Sequence, residues 1–224
     1  QCRSRLRNIV RTRSLLCNGP LQSAPTRESR TGDLCLSITR KLTMTEKAKT
    51  TSDDHYFMYF PGNYRWSAAF ISMLGTSTWG GSDIGEVDRI GRLLKAAPKQ
   101  TDEAWFDASV QIANETRAHA ARYEKSGHRV SAAPFYLRAC KYYQMAERFR
   151  TPKDARALEI YQHSIDCFHA FTRMTDVKIE IVEVPFVDGS MPGYFVHAQN
   201  STASRKPAVV FFDGLDVTKE IQYM

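Results

Sequence analysis

The sequence predicts an α/β protein in which a helical region comes first and the opening strands of a core sheet follow. Two changes of pattern along the chain indicate this order. From about residue 101, apolar residues recur at helical spacing in three long segments. After residue 175 the period becomes that of a strand, because Val177, Ile179 and Ile181 alternate with charged residues. We therefore divide the chain into a segment 1–55, a helical domain 56–174 and the start of a sheet domain 175–224.

The first segment accounts for the positive charge of the whole chain. Residues 1–43 hold nine Lys or Arg and two Asp or Glu, so the net charge of +7 lies entirely there. This Arg- and Ser-rich composition is typical of a disordered leader, and both an organelle transit peptide and a translated leader upstream of Met44 fit it. Because residues 44–224 are neutral, no nucleic-acid-binding surface is predicted for the folded part.

Several classes of protein are excluded by what the sequence lacks. The five cysteines show neither the close spacing of a disulfide framework nor a CxxC zinc motif, and the six histidines show no metal-ligand spacing. No apolar run approaches the roughly 20 residues that a membrane span needs. The sequence therefore predicts a cytoplasmic protein in a reducing compartment, with no metal, no cofactor and no membrane contact.

Three long helices are predicted from the residues that begin and end them. Thr101 caps the first, which ends just before Gly127. The second covers residues 131–149 and accommodates Pro134 inside its first turn, where a missing N–H is tolerated. The third opens with the Thr151-Pro152 dipeptide, a cap followed by proline at the first helical position.

Two shorter helices are predicted upstream, at residues 66–74 and 83–94, with Trp79-Gly80-Gly81 as the break between them. Asp83 and Glu86 have the spacing of a capping box, in which each side chain accepts a hydrogen bond from the backbone N–H of the other.

The strands after residue 175 are predicted to lead into a glycine turn. The dipeptide Asp188-Gly189 forms the turn of a hairpin whose returning strand covers residues 193–198. Residues 208–212 are a continuous apolar run, which suits a strand buried on both faces. Asp213-Gly214-Leu215-Asp216 follows as a turn, and a new helix begins at about Val217.

Particular stretches of the sequence are more specific than these general patterns. In the sheet domain they are Val182-Glu183-Val184-Pro185-Phe186, Asp188-Gly189-Ser190-Met191-Pro192-Gly193-Tyr194 and Pro207-Ala208-Val209-Val210-Phe211-Phe212-Asp213-Gly214-Leu215-Asp216-Val217-Thr218-Lys219-Glu220. In the helical domain they are Trp79-Gly80-Gly81-Ser82-Asp83-Ile84-Gly85-Glu86, Gly127-His128, Tyr136-Leu137-Arg138-Ala139 and Tyr142-Tyr143. The set resembles an α/β-hydrolase group that includes the fermentation-respiration switch esterases, dihydropseudooxynicotine hydrolase and fungal hydrolases that shorten polyketide pigment precursors.

This resemblance covers residues 56–224 and implies an α/β-hydrolase fold, with a helical cap before the first strands of the core sheet. It also implies a Ser/His/Asp triad whose serine lies on a GxSxG elbow. No serine of this sequence has that context, since Ser77 and Ser82 each lack the second glycine. The chain is therefore interpreted as truncated before the nucleophile elbow and inactive by itself. By resemblance, the backbone of Asp213, Gly214 and Leu215 forms the oxyanion turn.

A small-molecule substrate between cap and core is the partner that the resemblance implies. Candidate substrate-binding residues in the cap are Trp79, Asp83, Glu86, Tyr142 and Tyr143. Each also has a structural interpretation, because a tryptophan packs, an aspartate caps a helix and tyrosines in a helix usually pack against neighbouring helices. The bond that is cleaved stays open between an ester, an amide and a carbon-carbon bond.

The end of the chain carries two further expectations. Asp216 is interpreted as a helix cap and Glu220 as a solvated side chain, in preference to a role in positioning the oxyanion turn. If later strands are missing, the strand 208–212 exposes an unpaired apolar edge. The chain is then expected to be poorly soluble or oligomeric, with a homodimer as one form, while residues 60–173 behave better.

A non-catalytic function is the alternative. Long helices joined by short turns, with Ala139, Tyr143, Ala146 and Pro152 in a loose tetratricopeptide arrangement, are typical of a protein-interaction module. The repeat of about 34 residues does not recur, however, and strands have no place in such a solenoid. The hydrolase interpretation is therefore preferred.

Overall fold

A computed structural model describes residues 57–212, 214 and 217–224. The predicted leader 1–55, and Asp213, Leu215 and Asp216 of the glycine turn, lie outside the described residues. The helical region and the hairpin after it are present in the predicted order. The helices are α1 (Tyr64–Gly75), α2 (Ile84–Ala96), α3 (Asp102–Lys125), α4 (Arg129–Arg148) and α5 (Ala155–Met174); the strands are β1 (Ile179–Phe186) and β2 (Gly189–Val196), and short 3₁₀ helices cover Thr76–Trp79 and Ile221–Tyr223.

The beginnings of α2 and α3, and the end of α3, follow the capping rules that predicted them. The Asp83 carboxylate accepts a hydrogen bond from the backbone N–H of Gly85 at 2.8 Å, and Thr101 Oγ1 accepts one from Ala104 at 3.2 Å. Gly127 follows α3 with a φ of +77°, a left-handed conformation that favours glycine.

The beginnings of α4 and α5 differ from prediction. The backbone N–H of Ala132 already bonds to the carbonyl of His128 at 2.9 Å, so α4 starts at Arg129 and Pro134 lies in its second turn. The cap of α5 is Asp154 rather than Thr151, because the Asp154 carboxylate accepts the N–H of Ala157 at 2.9 Å. A carboxylate directly before the helix, which accepts the N–H three residues later, is a stronger cap than a hydroxyl placed further away.

The apolar core lies among the helices, with α4 packed along α3 on one side and along α5 on the other. Trp105 on α3 is buried against Trp66 of α1 at 5.5 Å between ring centroids, and against Phe149 at 4.9 Å. Its indole N–H donates to the carbonyl of Met145 at 2.8 Å. Among the described residues, no helix is both long and apolar enough to cross a membrane.

The hairpin turns earlier than predicted. β1 and β2 pair antiparallel with Phe186 opposite Gly189, so Val187 and Asp188 form a two-residue turn and the returning strand begins at Gly189, not at Gly193. Val187 adopts a φ of +47° in this turn. The hairpin contacts the helices through Tyr194, whose ring lies 4.6 Å from that of Phe168 on α5.

The prediction of a buried strand at residues 208–212 is wrong in this structure. The run has no regular secondary structure, and Phe212 exposes 89% of its surface. An apolar run is buried on both faces only between neighbouring strands and covering layers, and the only sheet among residues 57–212 is the two-stranded hairpin. The helix predicted from Val217 is likewise shorter, since Ile221 bonds back three residues to Thr218 at 3.0 Å in a 3₁₀ turn.

Candidate functional site

Three of the predicted substrate-binding residues form one hydrogen-bonded cluster between α2 and α4. The buried Tyr142 hydroxyl donates to Glu86 Oε2 at 2.8 Å and accepts the backbone N–H of Asp83 at 2.9 Å. Arg138 donates to both oxygens of the Glu86 carboxylate, at 2.8 and 3.1 Å. Only half of the predicted capping box forms. The Asp83 carboxylate accepts the backbone N–H of Glu86, but the Glu86 carboxylate is directed towards α4, and the backbone N–H of Asp83 donates to the Tyr142 hydroxyl instead.

The chemistry of this cluster is that of a structural tether. Burial, followed by the nearby Glu86 carboxylate, raises the pKa of Tyr142 well above its ordinary value, so the phenol remains a donor at neutral pH. The Arg138–Glu86 pair is bidentate and mostly buried, which makes it stronger than an exposed ion pair. The cluster thereby fixes α2 against α4.

Trp79 lies apart from this cluster, at a cavity of about 300 Å³ between the 3₁₀ helix after α1, α4 and α5. Its indole is 73% exposed, so it lines the cavity without being part of the core. Sequence reasoning missed the other apolar walls. They are Val130, Ala133, Pro134, Leu137, Phe171, Met174 and Tyr223.

Tyr143 is directed to a different side of α4. Its buried hydroxyl donates to Asn114 Oδ1 of α3 at 2.6 Å, and its ring lies 5.4 Å from that of His163 on α5. Burial raises the pKa of Tyr143 to about 12. Adjacent helical residues point about 100° apart, so Tyr142 and Tyr143 do not share a face. The structure therefore brings Asp83, Glu86 and Tyr142 together and leaves Trp79 and Tyr143 elsewhere.

Glu220 is the clearest difference from the sequence-based expectation near the predicted oxyanion turn. Its side chain is 0% exposed, so the expectation of a solvated Glu220 is wrong. Oε1 accepts hydrogen bonds from the Tyr194 hydroxyl and from Lys219 Nζ, both at 2.7 Å. Burial acts to raise the pKa of Glu220, but these hydrogen bonds outweigh it and the pKa lies below its ordinary value. The hydrogen bond from Tyr194, which the helix-capping rules do not foresee, connects this segment to β2.

The hydroxyl of Tyr194 also lies 3.2 Å from His169 Nε2 on α5, so one tyrosine connects the hairpin, the helices and the segment after the glycine turn. Burial and the hydrogen bond to Glu220 raise the pKa of Tyr194 far above its ordinary value. Gly214, the described residue of the predicted oxyanion turn, is solvent-exposed.

Comparison with curated proteins connects this chain to fungal enzymes. The α/β hydrolase xenA of Xenoacremonium sinensis is 32% identical over 167 residues, covering 73% of this chain and 39% of that protein. The α/β hydrolase pydG of an Acremonium species is 29% identical over 168 residues, covering 73% and 38%. The α/β hydrolase psoB of Aspergillus fumigatus is 28% identical over 165 residues, covering 69% and 36%. No family model matches the sequence.

These matches confirm the resemblance to the α/β hydrolases stated above. More particularly, this chain is related to fungal proteins that are themselves named hydrolases. It spans about two fifths of the length of the curated relatives that it matches. The tetratricopeptide alternative is not favoured.

Proposed function

We propose that this chain supplies the helical cap and the first part of the catalytic domain of a serine α/β hydrolase. The substrate is a small organic molecule with an ester, amide or carbon-carbon bond to be cleaved. The observation that carries the proposal is the match of 73% of the chain to an α/β hydrolase at 32% identity. The division into a cap, residues 56–174, and a catalytic portion, residues 175–224, is part of the same proposal.

The cavity beside Trp79 supports a role for the helices in substrate binding. Its walls come from α4, α5 and the 3₁₀ segments, and they are mostly apolar, as is usual for sites that take small organic molecules. In the proposed enzyme, the catalytic portion completes this pocket. Asp83, Glu86 and Tyr142 act indirectly, because their tether holds the helix that follows Trp79 in place.

The part of the catalytic machinery proposed for this chain is the oxyanion turn at residues 213–215. A backbone N–H aimed at the developing negative charge of a tetrahedral intermediate stabilises it more than it stabilises the substrate. The buried Glu220 supports this assignment, because its bond to Tyr194 anchors the backbone just after the turn. No GxSxG sequence occurs in the chain, so we propose that the chain alone does not hydrolyse substrate.

The exposed apolar surface after α5 supports an adjoining sheet. Phe186 and Phe195 of the hairpin and the run 209–212 expose about half or more of their surface. Exposed large apolar side chains in such number are typical of an interface. In the proposed enzyme, further strands of the catalytic domain cover it.

The test is a chimera in which residues 57–224 replace the matching part of the xenA hydrolase. A fluorophosphonate probe reports a reactive serine without knowledge of the substrate, because it forms a covalent bond with the activated nucleophile. We expect the chimera to be labelled and the isolated chain not to be labelled. A Gly214→Pro variant of the chimera removes one backbone N–H and should slow labelling by about 100-fold.

The matched control is Ala203→Pro in the same chimera, a change in an exposed irregular segment that donates no backbone hydrogen bond within the described structure. Circular dichroism establishes that each variant is folded. A folded chimera that the probe does not label, or labelling of the isolated chain, contradicts the proposal.

A further inference from the structure

The cavity beside Trp79 has a single charged residue in its wall. Of the described residues that line this space of about 300 Å³, Asp176 alone carries a charge, and the rest are apolar, aromatic or neutral. A pocket of this kind binds the apolar body of a small molecule, and its few polar groups fix the orientation of the ligand. The wall therefore combines apolar surface with one negative charge.

The carboxylate of Asp176 has no hydrogen bond or ion pair within the part of the chain that the structure describes. Two basic residues flank it in the sequence. Lys178 pairs with Glu180 at 3.0 Å, and Arg173, three residues before Asp176, forms no ion pair with it. A ligand in the cavity displaces water from this carboxylate, at a cost that a cationic ligand offsets and a neutral one does not.

Three aromatic side chains line the same cavity. Trp79 is the last residue of its 3₁₀ helix, because Gly80 follows with a φ of +79° in the left-handed conformation. The indole is 73% exposed and stacks on no other ring of the described residues. The rings of Phe171 and Tyr223 lie 5.2 Å apart. The face of an aromatic ring attracts a cation, and tryptophan does so most strongly.

We propose that this cavity binds a small organic cation, with its ammonium group at Asp176 and the Trp79 ring and its apolar body against Leu137 and Phe171. The carboxylate and the negative ring face both attract an ammonium and both disfavour an anion. The inference rests on the proposed function in one respect, since the substrate of the hydrolase is then a molecule that carries an amine.

The experiment titrates the full chain with benzylamine, which is protonated at neutral pH, and separately with benzyl alcohol, which has a similar shape and no charge. The chain has three tryptophans, so two-dimensional proton–nitrogen NMR spectra contain three indole signals. Trp79→Leu removes one signal and thereby assigns it. We expect benzylamine to shift the Trp79 signal, to leave those of the buried Trp66 and Trp105 in place, and to bind about tenfold more tightly than benzyl alcohol.

Two variants separate the contributions of the carboxylate and the ring. Asp176→Asn should weaken benzylamine binding by about threefold to fivefold and leave benzyl alcohol binding unchanged. Trp79→Leu keeps an apolar side chain and should reduce the preference for benzylamine by about threefold. Both side chains are exposed, so we expect both variants to fold. The matched control Asp188→Asn removes the same charge from the exposed hairpin turn and should leave both affinities unchanged.

Several results would overturn this site. They are equal affinities for benzylamine and benzyl alcohol, no binding of benzylamine, a preference that survives Asp176→Asn or is lost equally in Asp188→Asn, and shifts confined to the Trp66 and Trp105 signals. The hydrolase proposal fails separately. Benzylamine binding needs no nucleophilic serine, and probe labelling of the chimera needs no amine.

Discussion

The helices and the segment after them satisfy their apolar residues in opposite ways. Trp66, Trp105 and Tyr142 are buried among α1–α4, and the polar atom of Trp105 and of Tyr142 is hydrogen-bonded. Phe186 and Phe212 in the later segment are largely exposed. A helix satisfies its own backbone and needs only side-chain contacts, whereas a strand needs neighbours for both. The comparison teaches that the helices contain a complete core and the strands do not.

The largest expected effect comes from paired truncations in the two regions. Trp105→Ala removes a buried ring and leaves the Met145 carbonyl without its donor, so it should lower the free energy of unfolding by about 3–5 kcal/mol. Phe212→Ala should change it by less than about 0.5 kcal/mol, because the ring is already solvated. Urea denaturation followed by circular dichroism measures both. Equal losses would show that the run 208–212 is packed after all.

The second effect concerns Lys141, a charged side chain of α4 that is buried in the helical core with only 2% of its surface exposed. Below pH 8, Lys141 is charged in both the folded and the unfolded chain, and the folded chain carries the whole desolvation penalty. Between pH 8 and 10.5 the folded chain loses this proton before the unfolded chain does, so stability contributed by this group rises with pH. Lys141→Met removes the penalty and should stabilise the chain at pH 7 by roughly 3 kcal/mol.

The measurement is the difference in unfolding free energy between the unaltered chain and Lys141→Met at pH 7 and pH 10. Taking the difference cancels the titration of the tyrosines and cysteines that both chains share. The difference should shrink as the pH rises. A constant difference would mean that Lys141 already has a counter-ion.

A third, smaller effect tests the connection between the two regions. Tyr194→Phe removes the donor to Glu220 and leaves a buried carboxylate less satisfied, at a cost of about 1–2 kcal/mol. The pKa of Glu220 is lower in the folded chain than in the unfolded chain. Its contribution to the free energy of unfolding is therefore present above the pKa of an unfolded glutamate, and it is lost as the pH falls through the pKa of the folded chain. Hydrogen exchange should show faster opening of β1 and β2 and unchanged protection of α3. Uniformly faster exchange in both regions would argue against a local connection.

Sequence reasoning was most successful where short-range physics decides the structure. Asp83 and Thr101 cap their helices as predicted, because a cap depends on residues two or three positions away. The prediction of a buried strand at residues 208–212 was wrong, because burial of a strand depends on partners that are distant in sequence. In the candidate site, the pairing of Glu86 with Arg138 and Tyr142 spans more than 50 residues, and no local spacing predicts it. No pattern in the sequence predicts the burial of Lys141, since a lysine in a helix is usually solvated.

The smallest expected effect is on the surface of the helical region, and it sets the scale for the others. Arg92 and Asp88 form an i,i+4 ion pair at 3.0 Å on α2, with both side chains largely exposed. Arg92→Gln should change the free energy of unfolding by less than about 0.5 kcal/mol, because water and salt screen such a pair. The loss should shrink further in 0.5 M salt, whereas the cost of Trp105→Ala should not. A loss above 1 kcal/mol in urea denaturation would mean that exposed charges, and not the buried aromatic core, dominate the stability of the helices.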